Sequence, residues 1–226
     1  MKEGLRHEYK YLISQADAEL LKLRLKHIMR PDPHAGATGR YTIRSLYFDD
    51  PRHSALDEKL DGICLRSKYR IRLYNYDTGF LKLEKKEKLG SLTRKTAQTV
   101  SRQEALALQQ RDISRIPGEA GLPAELAGKI RRGGFRPMVL VDYDRTPFVC
   151  ADGNTRITLD ENLRTRPYRP DLLASSGAMV PVLEQGQVIL EVKFDDFLPG
   201  YLDDALRDIP KVNLAISKFA LCMNLM

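Results

Sequence analysis

Apolar and polar residues alternate with a period of two along much of the chain. This places successive side chains on opposite faces of an extended backbone and predicts a scaffold of strands. The alternation is clearest over Arg6–Ile13, Tyr41–Phe48, Leu65–Tyr74, Phe80–Lys88, Met138–Tyr143, Thr155–Leu159 and Gln187–Phe194. A further short strand is expected over Phe148–Ala151, ahead of Asp152-Gly153-Asn154, whose residues suit a tight hairpin. Helical spacing punctuates the strands. Ser14-Gln15-Ala16-Asp17 reads as a capping box, so a helix is predicted over Gln15–Met29 with Leu20, Leu21, Leu25 and Ile28 on its inner face and Pro31 beyond its end. Ser101-Arg102-Gln103-Glu104 repeats the signal before a helix carrying Ala105, Leu106 and Leu108. Pro51 opens a shorter helix to Leu60, Pro123 another to Ile130, and Tyr201–Met226 carries helical spacing broken at Pro210. Pro31–Thr38 and Leu172–Gln185 read as surface connections, and no internal repeat is evident.

Composition narrows the class. At 226 residues, 42% hydrophobic and 30% charged, the chain suffices for one domain over residues 1–226 and is too apolar to be disordered throughout. No apolar run approaches the roughly 20 residues of a membrane span, and Met1-Lys2-Glu3-Gly4-Leu5-Arg6 lacks a secretory signal, so a cytoplasmic location is expected. Cys64, Cys150 and Cys222 are scattered and odd in number, which argues against a disulfide framework or a zinc site. His7, His27, His34 and His53 show no ligand spacing. No GxxxxGK[ST], GxGxxG or GxSxG motif occurs, so a nucleotide would have to be held by side chains. The 37 Lys and Arg outnumber 30 Asp and Glu, and the resulting +7 charge favours anionic partners.

The placement of charges is more informative than their number. In Lys68-Tyr69-Arg70-Ile71-Arg72-Leu73-Tyr74 the cations share one face and Tyr69, Ile71 and Leu73 the other. The pattern recurs: Arg6, Glu8 and Lys10; Lys82, Glu84 and Lys86; Arg156, Thr158 and Asp160; Glu191 and Lys193. An exposed strand gives the same alternation with its charges in water. Recurrence on five strands weakens that reading: if the roughly eight strands close into a barrel with the helices outside, these ionic faces line a central channel. Inward Lys and Arg need carboxylates, water or a polyanion to compensate them, and a phosphate chain meets that need.

The ordered pieces Arg6-His7-Glu8-Tyr9-Lys10-Tyr11, Ser45-Leu46-Tyr47-Phe48-Asp49-Asp50, Lys68 to Tyr74, Leu83-Glu84-Lys85-Lys86, Tyr143 to Phe148, Arg156 to Asp160, Leu190-Glu191-Val192-Lys193 and Ser217-Lys218-Phe219 carry a resemblance. The chain resembles the VTC-domain polyphosphate polymerases of the triphosphate tunnel (CYTH-like) superfamily. The resemblance implies an α+β fold, an antiparallel eight-stranded closed β-barrel (tunnel) with helices packed outside, that transfers the terminal phosphoryl group of ATP to inorganic polyphosphate. It implies that Arg70, Arg72, Lys82, Arg145 and Arg156 act on the phosphates. Lys10, Lys68, Lys86, Lys193, Lys218, Tyr47 and Tyr143 would bind substrate. Glu191, with Glu8, Glu84 or Asp160, would hold Mn2+ or Mg2+. Arg6 stands where the triphosphatase branch has the first acid of a Glu-x-Glu-x-Lys pattern, which moves the reading towards the polymerases.

Two rivals remain open at the level of sequence. One is a metal-dependent hydrolase of inorganic triphosphate or a nucleoside triphosphate. An acceptor phosphate is already ionised whereas water must be deprotonated, so the scarcity of additional acids favours transfer. The other is a non-catalytic polyanion- or RNA-binding module, with Tyr69, Tyr74 and Tyr76 available for stacking. Carboxylates on the cationic faces and the absence of an RNP-like motif argue against nucleic acid.

Overall fold

The structure is a computed structural model that describes residues 6–90, 92–116, 118, 120–166, 170–174, 177–213 and 216–225. Leu5, an expected apolar position of the first strand, lies outside these residues. The architecture is α+β. The strands are β1 (His7–Ser14), β2 (Arg30–Pro31), β3 (Tyr41–Asp49), β4 (Leu65–Tyr74), β5 (Leu81–Leu89), β6 (Leu92–Val100), β7 (Arg136–Cys150), β8 (Thr155–Arg166), β9 (Val180–Pro181), β10 (Gln187–Phe194) and β11 (Val212–Asn213). The helices are α1 (Gln15–Ile28), α2 (Ser54–Leu60), α3 (Arg102–Gln110), α4 (Leu122–Gly133), α5 (Gly200–Arg207) and α6 (Lys218–Met223). Hydrogen bonding orders the strands β11-β1-β10-β8-β7-β3-β4-β5-β6, with β2 beside β7 and β9 beside β8. β1 runs antiparallel to β10 and β11, β10 to β8, β2 to β7, β3 to β4, β4 to β5 and β5 to β6.

The closed eight-stranded barrel expected from the sequence is met in part. Among the described residues β11 and β6 are the two ends of the path, with no pairing between them, so the pairings describe an open sheet. Eight strands are long, and β2, β9 and β11 have two residues each. The eight are not quite those expected. Met138–Tyr143 and Phe148–Ala151 are halves of one strand, β7, which continues through Asp144–Pro147. Its Pro147 carbonyl still accepts from Asp32, so the missing proline N–H does not end the strand. The strand not anticipated is β6. Its apolar residues occur only at Leu92, Ala97 and Val100, too sparsely for a period of two.

The residues form two compact units. The first comprises Met1–Thr42, Tyr143–Leu163 and Pro181–Ser217. In it β1 pairs with β10 from His7↔Phe194 to Ser14↔Gln187, and β10 pairs with β8 from Ile189↔Asp160 to Lys193↔Arg156. One face of these strands buries Ile13, Ile157, Leu159, Val188, Leu190 and Val192 against Leu21 and Leu25 of α1 and Leu202 and Leu206 of α5. Ser14 caps α1 by accepting from the Asp17 amide at 3.1 Å, while its hydroxyl donates to the Asp17 carboxylate. Leu20 and Ile28, expected on the inner face of α1, are exposed; Ala18, Leu21 and Leu25 form that face. Gly153 stands at the β7–β8 turn with φ +60°, where a Cβ would come within 2.3 Å of the Phe197 carbonyl oxygen, so only glycine fits.

The second unit comprises Ile43–Asp142, Arg164–Val180 and Lys218–Met226. Leu46, Phe48, Tyr69, Ile71, Leu73, Leu81 and Leu83 of β3, β4 and β5 are buried against Leu108 of α3 and Leu122, Leu126 and Ile130 of α4. A complete capping box at Ser101 and Glu104 starts α3 as expected. The helix expected from Pro51 begins at Ser54, because the buried Asp49 carboxylate accepts from the Ala55 and Leu56 amides and takes the helix start for itself. Arg44 falls on the apolar face of β3. It is tolerated there by a two-pronged pair with Asp142, through Nε at 2.9 Å and Nη2 at 2.8 Å.

Candidate functional site

In the second unit the antiparallel register assembles an ionic face. Arg72 faces Ser45 on one side and Lys82 on the other; Arg70 faces Tyr47 and Glu84; Lys86 faces both Lys68 and Lys95. These cross-strand rows contain the cations Lys68, Arg70, Arg72, Lys82, Lys86 and Lys95 against one carboxylate, Glu84. Three lysines abreast repel one another, which raises the positive potential of this face.

Glu84 is the centre of this face and is 1% exposed. It accepts from Arg70 Nε at 2.7 Å, lies 3.8 Å from Arg72 Nη1, and is ion-paired by Lys95. Arg70 also donates to the Tyr47 hydroxyl at 2.7 Å, and Arg72 Nε to Ser45 Oγ at 3.2 Å. Burial opposes ionisation of Glu84, but Arg70, Arg72 and Lys95 outweigh it and hold the carboxyl far below the usual carboxylate range. Burial pushes the Lys95 ammonium down; Glu84 opposes that shift, and Arg70 and Arg72 reinforce it. Phe219 of α6 packs against the Tyr47 ring at 5.1 Å, and Lys68 Nζ lies 4.6 Å from the Phe219 ring centroid. Lys218 is the first residue of that helix.

The Glu84 shift has a measurable consequence. The unfolded chain protonates Glu84 near pH 4.3 and the folded chain does not, so the unfolded state binds more protons and stability falls with acidification from about pH 5 downwards. Glu84→Gln is expected to flatten that acid slope and to cost about 3 kcal/mol at neutral pH, since it leaves the cations without their counter-charge. Urea unfolding between pH 3 and 7 reads both effects; an unchanged slope would remove the assignment.

The first unit carries a different ionic face. Lys10 faces Glu191 and Glu8 faces Lys193 across β1 and β10, and Lys193 faces Arg156 across β10 and β8. Cations and carboxylates are interleaved. Lys10 pairs with Glu8 at 2.7 Å and Lys193 with Glu191 at 2.6 Å. Arg145 grips the buried Asp160 with Nε at 2.6 Å and Nη2 at 2.7 Å, and reaches Glu191 at 3.3 Å. Its guanidinium lies 5.3 Å from the Tyr143 ring. Arg156 is paired with the buried Asp32 and donates to the Tyr41 hydroxyl at 2.9 Å. Arg6, at the position of the missing acid, turns to Asp195 at 2.8 Å and the Asn154 carbonyl.

The expected site residues therefore fall into two groups. Arg70, Arg72, Lys82, Lys68, Lys86, Tyr47, Glu84 and Lys218 belong to the second unit, and Arg145, Arg156, Lys10, Lys193, Tyr143, Glu191 and Glu8 to the first. Lys95 was missed because it sits on the unanticipated strand β6, where the adjacent Arg94 and the scarcity of apolar residues leave no alternation to mark its face. Asp32 was missed because it lies in a Pro-rich connection.

A model of the VTC domain matches residues 5–226. The chain belongs to the VTC-domain family. No curated protein matches this VTC-domain chain by sequence. Among solved structures it is similar to a candidate adenylate cyclase from Bacillus halodurans, with TM-score 0.52 and 18% identity over 95% of each chain. It is also similar to the PH1819 protein from Pyrococcus horikoshii OT3, with TM-score 0.51 and 12% identity over 97% of this chain and 100% of that one. A chain of the Schizosaccharomyces pombe Mediator head module shares the fold at TM-score 0.50 and 9% identity, over 93% and 98% of the two chains. At these identities the likeness is one of fold. Among the described residues the three cysteines are free thiols, and no helix is long and apolar enough to cross a membrane.

Proposed function

We propose that this VTC-domain protein is a polyphosphate polymerase that works as one domain, holds the phosphate chain along the cationic rows of β3, β4, β5 and β6, and acts in the cytoplasm. The observation that carries the reading is the set of rows in the second unit, where six cations meet one carboxylate. Such a face is stabilised by a ligand bearing many closely spaced negative charges, and ATP with inorganic polyphosphate supplies them. The terminal phosphate oxygen of the acceptor attacks the γ-phosphorus, the bridging bond to the β-phosphate breaks, and ADP leaves. The attacking oxygen is already ionised, so no general base is needed. Arg70 and Arg72 offset charge on the transferring group, and their orientation is set by Glu84 and by the Tyr47 and Ser45 hydroxyls. Lys82, Lys68, Lys86 and Lys218 serve the same chain of phosphates. Arg145 and Arg156 of the first unit also contact phosphate in this reading, with guanidinium groups already paired with carboxylates.

The first unit suits a divalent cation better than the second. Glu191 and Glu8 offer hard oxygen donors, and Thr158, which faces Glu191 across the strands, has a buried hydroxyl oxygen without a hydrogen-bond partner. Glu84 is the less suited of the three expected ligands: it is a lone carboxylate among three cations, whereas Glu191, although paired with Lys193 and Arg145, has Glu8 and the Thr158 hydroxyl on the same strand faces. Among the described residues no three His, Cys, Asp or Glu side chains converge on one point. When bound by Glu191 and Glu8, Mg2+ or Mn2+ supplies charge neutralisation across the phosphate oxygens.

Incubation with ATP and Mg2+ or Mn2+ is expected to yield long-chain polyphosphate; orthophosphate alone would assign a triphosphatase instead. Glu191→Gln is expected to lower metal-dependent turnover by about 10²-fold while tripolyphosphate still binds. An unchanged metal response would overturn the role of Glu191. The Mediator likeness shows that the fold alone does not settle activity. Polyanion binding that persists in chelator without nucleotide turnover would point to the non-catalytic module.

A further inference from the structure

We propose that Phe80 is the platform on which the base of a nucleoside triphosphate stacks, so that the donor's phosphates enter the cationic rows from the end marked by Arg72 and Lys82. This rests on the phosphate-binding reading of that face and specifies its substrate as a nucleotide rather than inorganic triphosphate.

Phe80 immediately precedes β5, in the connection that returns from β4. It is 43% exposed and takes no part in the buried cluster beneath the sheet. Exposure of a single apolar side chain is common on this chain, so a role for the ring needs a reason from its neighbours. Two observations supply one. Lys82 Nζ lies 4.9 Å from the ring centroid, so the ring adjoins a cation of the ionic face. Lys82 faces Arg72, which makes this the outermost of the three rows towards the Phe80 end of the strands. The rows then follow at every second residue, about 7 Å apart along the strand.

A nucleotide carries its base at one end of its phosphate chain. With phosphates lying along the rows, the end nearest Phe80 is the one that accommodates a base, and the row of Lys68, Lys86 and Lys95 lies at the acceptor end. Tyr76, the other exposed aromatic of this hairpin, is committed elsewhere: its hydroxyl donates to Asp142 at 3.2 Å and Arg44 lies 4.6 Å from its ring centroid. Stacking on a single ring reads the π-face that every base shares, so purine identity is expected to matter little.

Calorimetric titration of the whole protein with ATP and with inorganic tripolyphosphate tests this. Phe80→Ala is expected to weaken ATP about tenfold and to leave tripolyphosphate within about twofold. Phe80→Leu, which keeps apolar volume without a π-face, is expected to behave like the alanine variant, and Phe80→Trp to retain wild-type affinity for ATP. Equal losses for both ligands, or none for ATP, would overturn the stacking role. Wild-type protein that binds tripolyphosphate as tightly as ATP would also overturn it while leaving the phosphate face intact. If neither ligand binds, the functional reading itself fails. Phe80 is exposed and precedes the strand, so its substitutions leave the core untouched.

Discussion

Arg70→Ala is expected to lower phosphoryl transfer by about 10³-fold, with a near-native circular dichroism spectrum. Arg70 is partly exposed and donates to Glu84 and Tyr47, so its removal deletes the charge that the proposed function sets against the phosphates without opening the apolar core. Glu84 keeps Arg72 and Lys95 as counter-charges, which confines the structural cost. Arg70→Lys should recover little, because a lysine ammonium cannot reproduce the planar fork that meets a carboxylate on one side and a phosphate on the other. Steady-state kinetics with ATP checks both variants. Wild-type turnover in Arg70→Ala would sink the site assignment.

Asp160→Asn is expected to destabilise the fold by about 3–5 kcal/mol, or roughly 10 °C in Tm for a chain of this size. Asp160 is fully buried and takes two hydrogen bonds from Arg145, which is itself buried. Burial works against the guanidinium charge and Asp160 more than offsets it. Asparagine can still accept a hydrogen bond, but the counter-charge left to Arg145 is then Glu191, at the longer distance of 3.3 Å. The double replacement Arg145→Met with Asp160→Leu should restore much of the stability, since an apolar pair removes both desolvation costs together. It should not restore activity. Thermal unfolding separates the two contributions, and a Tm unchanged in Asp160→Asn would show that the pair is not the anchor described.

The alternation in Lys68 to Leu73 and in Leu81 to Glu84 was enough to place the apolar face, and Tyr69, Ile71, Leu73, Leu81 and Leu83 are all buried on it. Ser14 and Ser101 likewise marked helix starts, because a cap is a local hydrogen bond between residues three apart. The pattern failed where the period was weak or deceptive. In β6 the side chains are mostly exposed, so hydrophobicity leaves no trace of the strand. In β7 a proline and three polar residues read as a break although the backbone stays extended.

What the sequence by itself determined is which side chains share a strand face, because a period of two is a property of consecutive residues. It therefore made the ionic faces and most of their members legible, along with the family. Tertiary structure alone decided which charges meet. Lys95 reaches Glu84, Asp32 meets Arg156, and Asp160 holds Arg145, each through the pairing or proximity of segments distant in the chain. It also decided that one unit's ionic face carries an excess of cations while the other's is interleaved with carboxylates. Electrostatic energy depends on distance in space, and strand register rather than residue spacing sets that distance.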